Sequence, residues 1–262
     1  MNKNKINRHY TDEAKFFKNS IQCTMPDIYV KELEIKKLFS LIHEISNENK
    51  ISSVLEIGCG NGYTINILSK SFNLNFFGID SNKEMIQLCK KRKTKNVVFK
   101  NVNILQNKFK DDEFDLIYTE RCLINLLSWK EQKQALDIIH KILKKNGYFI
   151  MIEAFDDGLD TLNQARKAIG LDKISAAWHN LYFSKTKLQQ FIKNKFTNYD
   201  YNKKITYDNF LSTYYYGSRV LYPSLIEGKN SIKYNNKFIE FFSMIPNVGN
   251  YSPIQVCILK KI

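Results

Sequence analysis

The chain has 262 residues, 44% of them hydrophobic, enough for one α/β domain with insertions or for two small domains. No apolar run approaches the roughly 18 residues of a membrane span, and the polar amino terminus lacks the apolar centre of a signal peptide, so a cytoplasmic protein is expected. The net charge is +14, yet only five of the 40 basic residues are arginines, the usual readers of base edges. The lysines are spread along the whole length, which argues against nucleic acid as a partner and leaves a general attraction for small anions.

Residues 1–26 form a polar lead with apolar Ile6, Tyr10, Phe16, Phe17 and Ile21, compatible with a short helix folded over a ligand. Pro26 and Asp27 then open a helix to about Asn47, whose Leu33, Leu38, Leu41, Ile42 and Ile45 recur at helical spacing. At 53–57 an apolar run containing Glu56 reads as a first strand. Gly58, Gly60 and Gly62 follow it, and a helix is expected over 62–70. Strand, glycine turn and helix is the layout of a nucleotide-binding βα turn, in which glycines let the backbone approach a ligand. A second strand, Asn75 to Ile79, ends in Asp80, 18 residues past Gly62. An acid at that strand tip is placed to accept ribose hydroxyls. Asp80 and Ser81 are expected to cap a helix through about Arg92, with Met85, Ile86 and Cys89 inward.

Val97 to Phe99 reads as a third strand and Phe114 to Tyr118 as a fourth, apolar on both faces as in a parallel sheet. The stretch after it, Thr119 to Asn125, falls at the crevice where ligands bind in doubly wound sheets. A helix over Trp129 to Leu143 ends at Lys144-Lys145-Asn146-Gly147, with Gly147 as the left-handed stop, and a fifth strand runs from Tyr148 to Glu153. Further helices are expected over Leu159 to Ile169 and from Ser184 to about Asn194. Strands are expected at Tyr199 to Ile205 and Pro253 to Lys260, with 206–250 between them as an insertion.

The pattern Glu56-x-Gly58-x-Gly60-x-Gly62, with the acid-tipped second strand and the later block ILKKNG, apolar strand, Glu153, resembles the class I S-adenosylmethionine-dependent methyltransferases. That resemblance implies a Rossmann-like, doubly wound, mostly parallel seven-stranded sheet with an antiparallel last strand and helical lid insertions. It implies one domain over 1–262: a cap and helix (1–50), a cofactor-binding core (51–155), and substrate-lid insertions at 156–183 and 206–250. It implies S-adenosyl-L-methionine as cofactor, held by Glu56, Gly58, Gly60, Gly62, Asp80, Ser81, Asn103, Ile104 and Glu120. Asn103 stands where the family usually has Asp to hold the adenine amino group, a bond its carbonyl can still accept. The blocks ERCLINL, GLDTLNQARKAIGL, WHNLY, STYYYGSRVLY and IPNVGNYSP look like a bacterial subgroup associated with surface-polysaccharide or related small-molecule pathways.

Methyl transfer to a hydroxyl needs a proton acceptor. His179 and Glu153 are the candidates for catalysis, with Glu120 behind them. Arg121 and Arg219 are the expected holders of an anionic acceptor group, since their planar fork suits carboxylate or phosphate. Trp178, Tyr214 and Tyr222 are expected to line the acceptor pocket. The five scattered cysteines contain no C-x-x-C, so disulfides and zinc are not expected, and no carboxylate or histidine cluster calls for another metal. The expected activity is methyl transfer to an oxygen or nitrogen of a small, anionic acceptor of sugar, phosphorylated or polysaccharide-precursor type. An RNA methyltransferase and a non-catalytic nucleoside-binding module are the alternatives.

Overall fold

Seven strands make one sheet: β1 (Ser53–Ile57), β2 (Asn75–Asp80), β3 (Val97–Asn101), β4 (Phe114–Glu120), β5 (Leu143–Ala154), β6 (Phe196–Asn198) and β7 (Ile254–Lys261). Their order is β3-β2-β1-β4-β5-β7-β6. β3 to β5 run parallel, and β7 lies antiparallel between β5 and β6. The structure is a computed structural model and describes residues 3–106, 109–199, 205–226 and 234–262. No described helix is long and apolar enough to cross a membrane.

β1, β4 and β5 are buried almost throughout, the consequence of near-continuous apolar runs covered on both faces. Strand order reverses between β1 and β4, where Ile57 pairs with Thr119. The crevice therefore opens just beyond Gly58 and Glu120. Around the sheet lie α1 (Lys3–Phe17), α2 (Ile28–Glu48), α3 (Tyr63–Ser71), α4 (Lys83–Lys91), α5 (Trp129–Ile142), α6 (Asp156–Ala168) and α7 (Lys185–Ile192). Val30, Leu38, Leu41, Ile42 and Ile45 of α2 share one core with β1, β4 and β5.

Several boundaries differ from the sequence reading for identifiable reasons. α4 is capped by Asn82, whose side chain accepts the Met85 N–H at 3.0 Å, because the Asp80 carboxylate is engaged elsewhere. The left-handed residue after α5 is Asn146 (φ 63°), not Gly147. Gly147 is needed for close packing: a Cβ there would lie 2.8 Å from the Lys144 carbonyl and 3.0 Å from that of Asp115. α6 starts at Asp156, ahead of Leu159, with two acids in its first turn facing the helix dipole. β6 precedes the expected Tyr199–Ile205 strand, of which 200–204 lie outside the described residues, and the Tyr199 hydroxyl donates to Glu44 and Glu48 of α2. In the 206–250 stretch, α8 (Ser212–Tyr216) runs through a π-helical turn (Gly217–Leu221) into α9 (Tyr222–Leu225), and α10 (Lys237–Met244) follows. Residues 227–233 of that stretch lie outside the described ones.

Candidate functional site

The turn after β1 is folded back over the neighbouring strand. The N–H groups of Gly58 and Cys59 both donate to the Ile79 carbonyl, at 2.8 and 2.9 Å. Gly58, Gly60 and Gly62 have φ of 78°, 51° and 73°, a conformation that disfavours any side chain. At the tip of β2 the Asp80 carboxylate turns toward this turn: Oδ2 accepts the Gly60 N–H at 3.0 Å and Oδ1 the Asn82 N–H at 2.7 Å. Burial raises the pKa of Asp80, and the two N–H donors oppose the rise.

These tips border a cavity of about 350 Å³. Of the residues expected to hold a cofactor, Gly58, Gly60, Asp80, Ser81, Asn103, Ile104 and Glu120 line it. Ile79, Val102 and Leu105 add an apolar wall. Asn103 Oδ1 accepts the Leu105 N–H at 3.0 Å, which leaves its carbonyl one further acceptor site. Gly62 is not in the lining; it sits against Cys89 and Phe99.

Glu56 lies behind the turn, at a second cavity of about 20 Å³ shared with Lys31, Thr64, Glu120 and Arg121. Lys31 Nζ donates to Glu120 Oε2 at 2.7 Å. Glu56 Oε2 and Glu120 Oε1 are buried with no hydrogen-bond partner among the described residues. Burial, with the Glu120 charge beside it, pushes the Glu56 carboxyl up to about 8 from 4.5. The folded protein therefore holds a proton there that the unfolded chain releases, so the stability Glu56 contributes is lost as pH rises from about 4.5 through about 8. Glu56→Gln is expected to melt higher than wild type at about pH 9 and level with it at about pH 5; equal melting at both would refute this.

The roof of the cavity is α1, through Lys3, Asn4, Ile6, Asn7 and Tyr10. Asn82 Nδ2 donates to Asn7 O, Asn7 Oδ1 and Thr11 Oγ1 at 2.9–3.1 Å. The Tyr10 hydroxyl donates to Asn125 Oδ1 at 3.0 Å, and Lys3 pairs with Glu131. The sequence pointed to a polar lead folded over a ligand, but not to Asn82 or Asn125 as its anchors, since nothing local distinguishes these asparagines from others in the chain.

The expected acceptor cluster does not assemble at this cavity. Arg121 lines it, at φ 51°, but its guanidinium grips Glu34 at 2.8 and 3.2 Å and the Thr24 carbonyl at 3.2 Å. Arg219 Nη2 binds Asp27 at 2.5 Å and the Tyr214 hydroxyl donates to the same carboxylate at 2.6 Å, so both tie the insertion to the start of α2. Tyr222 packs on Phe238, ring centroids 5.4 Å apart. Trp178 is exposed beside His9 and His179, with Lys5 Nζ 4.7 Å from its ring centre.

The two catalytic candidates also stand outside the lining. His179 sits on the outer side of the cap, its ring 4.8 Å from His9 and 5.9 Å from Tyr10. Burial and the nearby His9 push it down to about 4, so it is neutral at pH 7. Glu153 is fully buried at the tip of β5 and accepts the N–H groups of Cys122, Leu123 and Ile124 at 2.9–3.2 Å. Burial raises it to about 7, and those backbone donors lower it in turn. Both its oxygens are thus committed to the turn after β4.

Comparison with known proteins places this geometry. Residues 48–213 match the family described as a methyltransferase domain. An uncharacterised protein of Methanocaldococcus jannaschii is 34% identical over 101 residues, 38% of this chain and 36% of that protein. The phosphoethanolamine N-methyltransferase of Plasmodium falciparum is 25% identical over 150 residues, 56% of this chain and 54% of that one. The chain thus spans between about a third and about half the length of these curated relatives. Among solved structures, the N-methyltransferase NodS from Bradyrhizobium japonicum superposes with a TM-score of 0.53 at 14% identity, over 88% of this chain and 97% of NodS, a likeness of fold.

Proposed function

The chain belongs to the methyltransferase-domain family, whose cofactor is S-adenosylmethionine, and we propose that it transfers the cofactor's methyl to an oxygen or nitrogen of a small acceptor. The observation that carries this reading is the Asp80 carboxylate hydrogen-bonded to the glycine turn at the border of a cavity that both line. Asp80 retains lone pairs for ribose hydroxyls after its two N–H bonds. Asn103 and Ile104 would meet the adenine, and Gly58 and Gly60 let backbone approach. The Glu120 Oε1, which borders the cavity and has no hydrogen-bond partner among the described residues, suits a cationic ammonium, which would relieve a buried acceptor. When bound, the sulfonium supplies an already activated methyl, so the protein's task is to place a nucleophile about 3 Å away and in line.

The finer reading is an anionic acceptor. The net charge of +14 and the likeness to a phosphoethanolamine methyltransferase favour it. Arg121 and Arg219 are already neutralised by Glu34 and Asp27, so neither is assigned to it. A role in polysaccharide or related small-molecule pathways rests on sequence blocks alone. We assign Glu153 to holding the turn after β4. For a hydroxyl acceptor we assign proton acceptance to His179, neutral and with Nδ1 unpartnered; this requires Tyr10 to yield, and a kcat unchanged in His179→Ala would refute it.

Calorimetry with S-adenosylhomocysteine tests the reading. Wild type should bind it, and Asp80→Ala should weaken binding on the order of 100-fold through loss of charge-assisted hydrogen bonds. A wild type that shows no binding at about 1 mM ligand overturns the proposal. Product formation with phosphorylated small molecules against RNA then decides the acceptor class.

A further inference from the structure

We infer that Asn61, between the second and third glycines of the turn, is a positioning residue that fastens α1 over the cavity, so that cofactor binding and closure of α1 form one linked event. The inference rests on the cofactor reading above and adds how the site is closed. Asn61 is 4% exposed and has no place in the cofactor-facing row of glycines. Its Nδ2 donates to the carbonyls of Lys18 and Ser20, both at 2.9 Å. Its Oδ1 accepts the Tyr63 N–H at 3.2 Å, at the start of α3. Its own carbonyl accepts from Arg92 Nε at 2.7 Å, while Arg92 Nη2 donates to the Asn19 carbonyl at 2.9 Å. Three successive carbonyls of the strap leaving α1 are thus held by the glycine turn and by the residue that closes α4.

The strap is shaped for this grip. Lys18 (φ 48°) and Thr24 (φ 71°) take left-handed backbone that non-glycine residues hold only when their surroundings impose it. At its far end the Thr24 carbonyl accepts from Arg121, so the strap is clamped to both sides of the switch point, the β1 turn and the β4 tip. Ala14 is the one fully buried residue of α1, with Tyr10 and Phe17 half-buried against Met85 and Cys23, and so small an apolar contact leaves the docked helix dependent on such polar clamps as well. A ligand in the cavity touches the glycine turn and α1 together, through Gly60 and through Asn7 and Tyr10. Whatever fixes the turn therefore favours the docked helix, and the coupling is reciprocal.

The experiment is limited trypsin digestion of the full chain, scored at Lys3, Lys5, Arg8, Lys15 and Lys18, with and without S-adenosylhomocysteine. Asn61→Asp keeps the acceptor for Tyr63 and removes both donors to the strap. In ligand-free protein it should raise cleavage of α1 by roughly tenfold or more, raise the ligand concentration needed for protection, and raise cofactor KM with kcat little changed. Arg92→Ala, which leaves the turn's side chain in place, should shift cleavage the same way by roughly threefold, a control if Asn61→Asp melts early. Equal ligand-free cleavage in wild type and both variants overturns the clamp. Protection by ligand that is unchanged in the variants overturns the linkage. If wild type takes up no S-adenosylhomocysteine in calorimetry, the cofactor reading and the linkage fall together, and the ligand-free cleavage ratio still decides whether Asn61 holds α1.

Discussion

Gly58→Ala is expected to abolish measurable cofactor binding and to lower stability by roughly 2–5 kcal/mol. Two separable effects combine. The backbone at φ 78° is left-handed, which strains any residue with a Cβ by roughly 1–2 kcal/mol. The new Cβ would also lie 2.3 Å from Cys122 Sγ and 2.7 Å from Cys122 Cβ. Neither partner can retreat easily: the turn is held by two N–H bonds to the Ile79 carbonyl, and Cys122 by its own N–H to Glu153. Relief would push the β1 and β4 tips apart, and that is where the cavity lies. A double variant separates the effects. Gly58→Ala with Cys122→Gly should recover the steric part, measured by thermal melting, and leave the backbone part. A double variant no better than Gly58→Ala alone would show that the Cys122 contact is not the obstacle.

Glu153→Ala is the second large effect, expected to destabilise by roughly 2–4 kcal/mol and to raise cofactor KM. It leaves three buried N–H groups at 122–124 without an acceptor, in the turn that brings Arg121, Cys122 and Asn125 to the cavity. Glu153→Gln keeps one oxygen for the turn and should lose less, roughly 1–2 kcal/mol. The pH dependence has a definite sign. The folded carboxyl is raised to about 7, so its contribution is present below the unfolded value of 4.5 and fades as pH rises through 7. The glutamine variant should remove that slope. If Glu153→Gln instead melts like wild type, keeps KM and loses kcat about 100-fold, Glu153 is a proton acceptor and not the anchor of this turn.

Much of the core was legible in the chain because its requirements are local. Short apolar runs at 53–57, 75–79 and 114–118, the first bounded by the glycine turn, read as strands of a covered sheet, and alternate glycines after the first mark a backbone with φ > 0. The distance from Gly62 to Asp80 is the length of one helix and one strand, so an acid there reaches the glycine turn whatever surrounds it. One boundary slipped at α4, where Asp80 and Ser81 were the expected caps but contact with Gly60 engages the aspartate and Asn82 caps the helix instead.

The acceptor side was illegible for the opposite reason. Arg219, Tyr214, Arg121 and Glu153 each carry a side chain suited to chemistry, and composition cannot say whether a charge is already answered. Asp27 answers Arg219 from 192 positions away and Glu34 answers Arg121 from 87. By itself, then, the sequence determined the strand–turn–helix cradle and its acid, since torsion, periodicity and short spacing are properties of neighbouring residues. Only the tertiary structure decided which charges are spent on pairing, which side chains anchor α1, and that Glu153 accepts from the turn after β4, because a buried charge takes the partner that packing brings within hydrogen-bond reach.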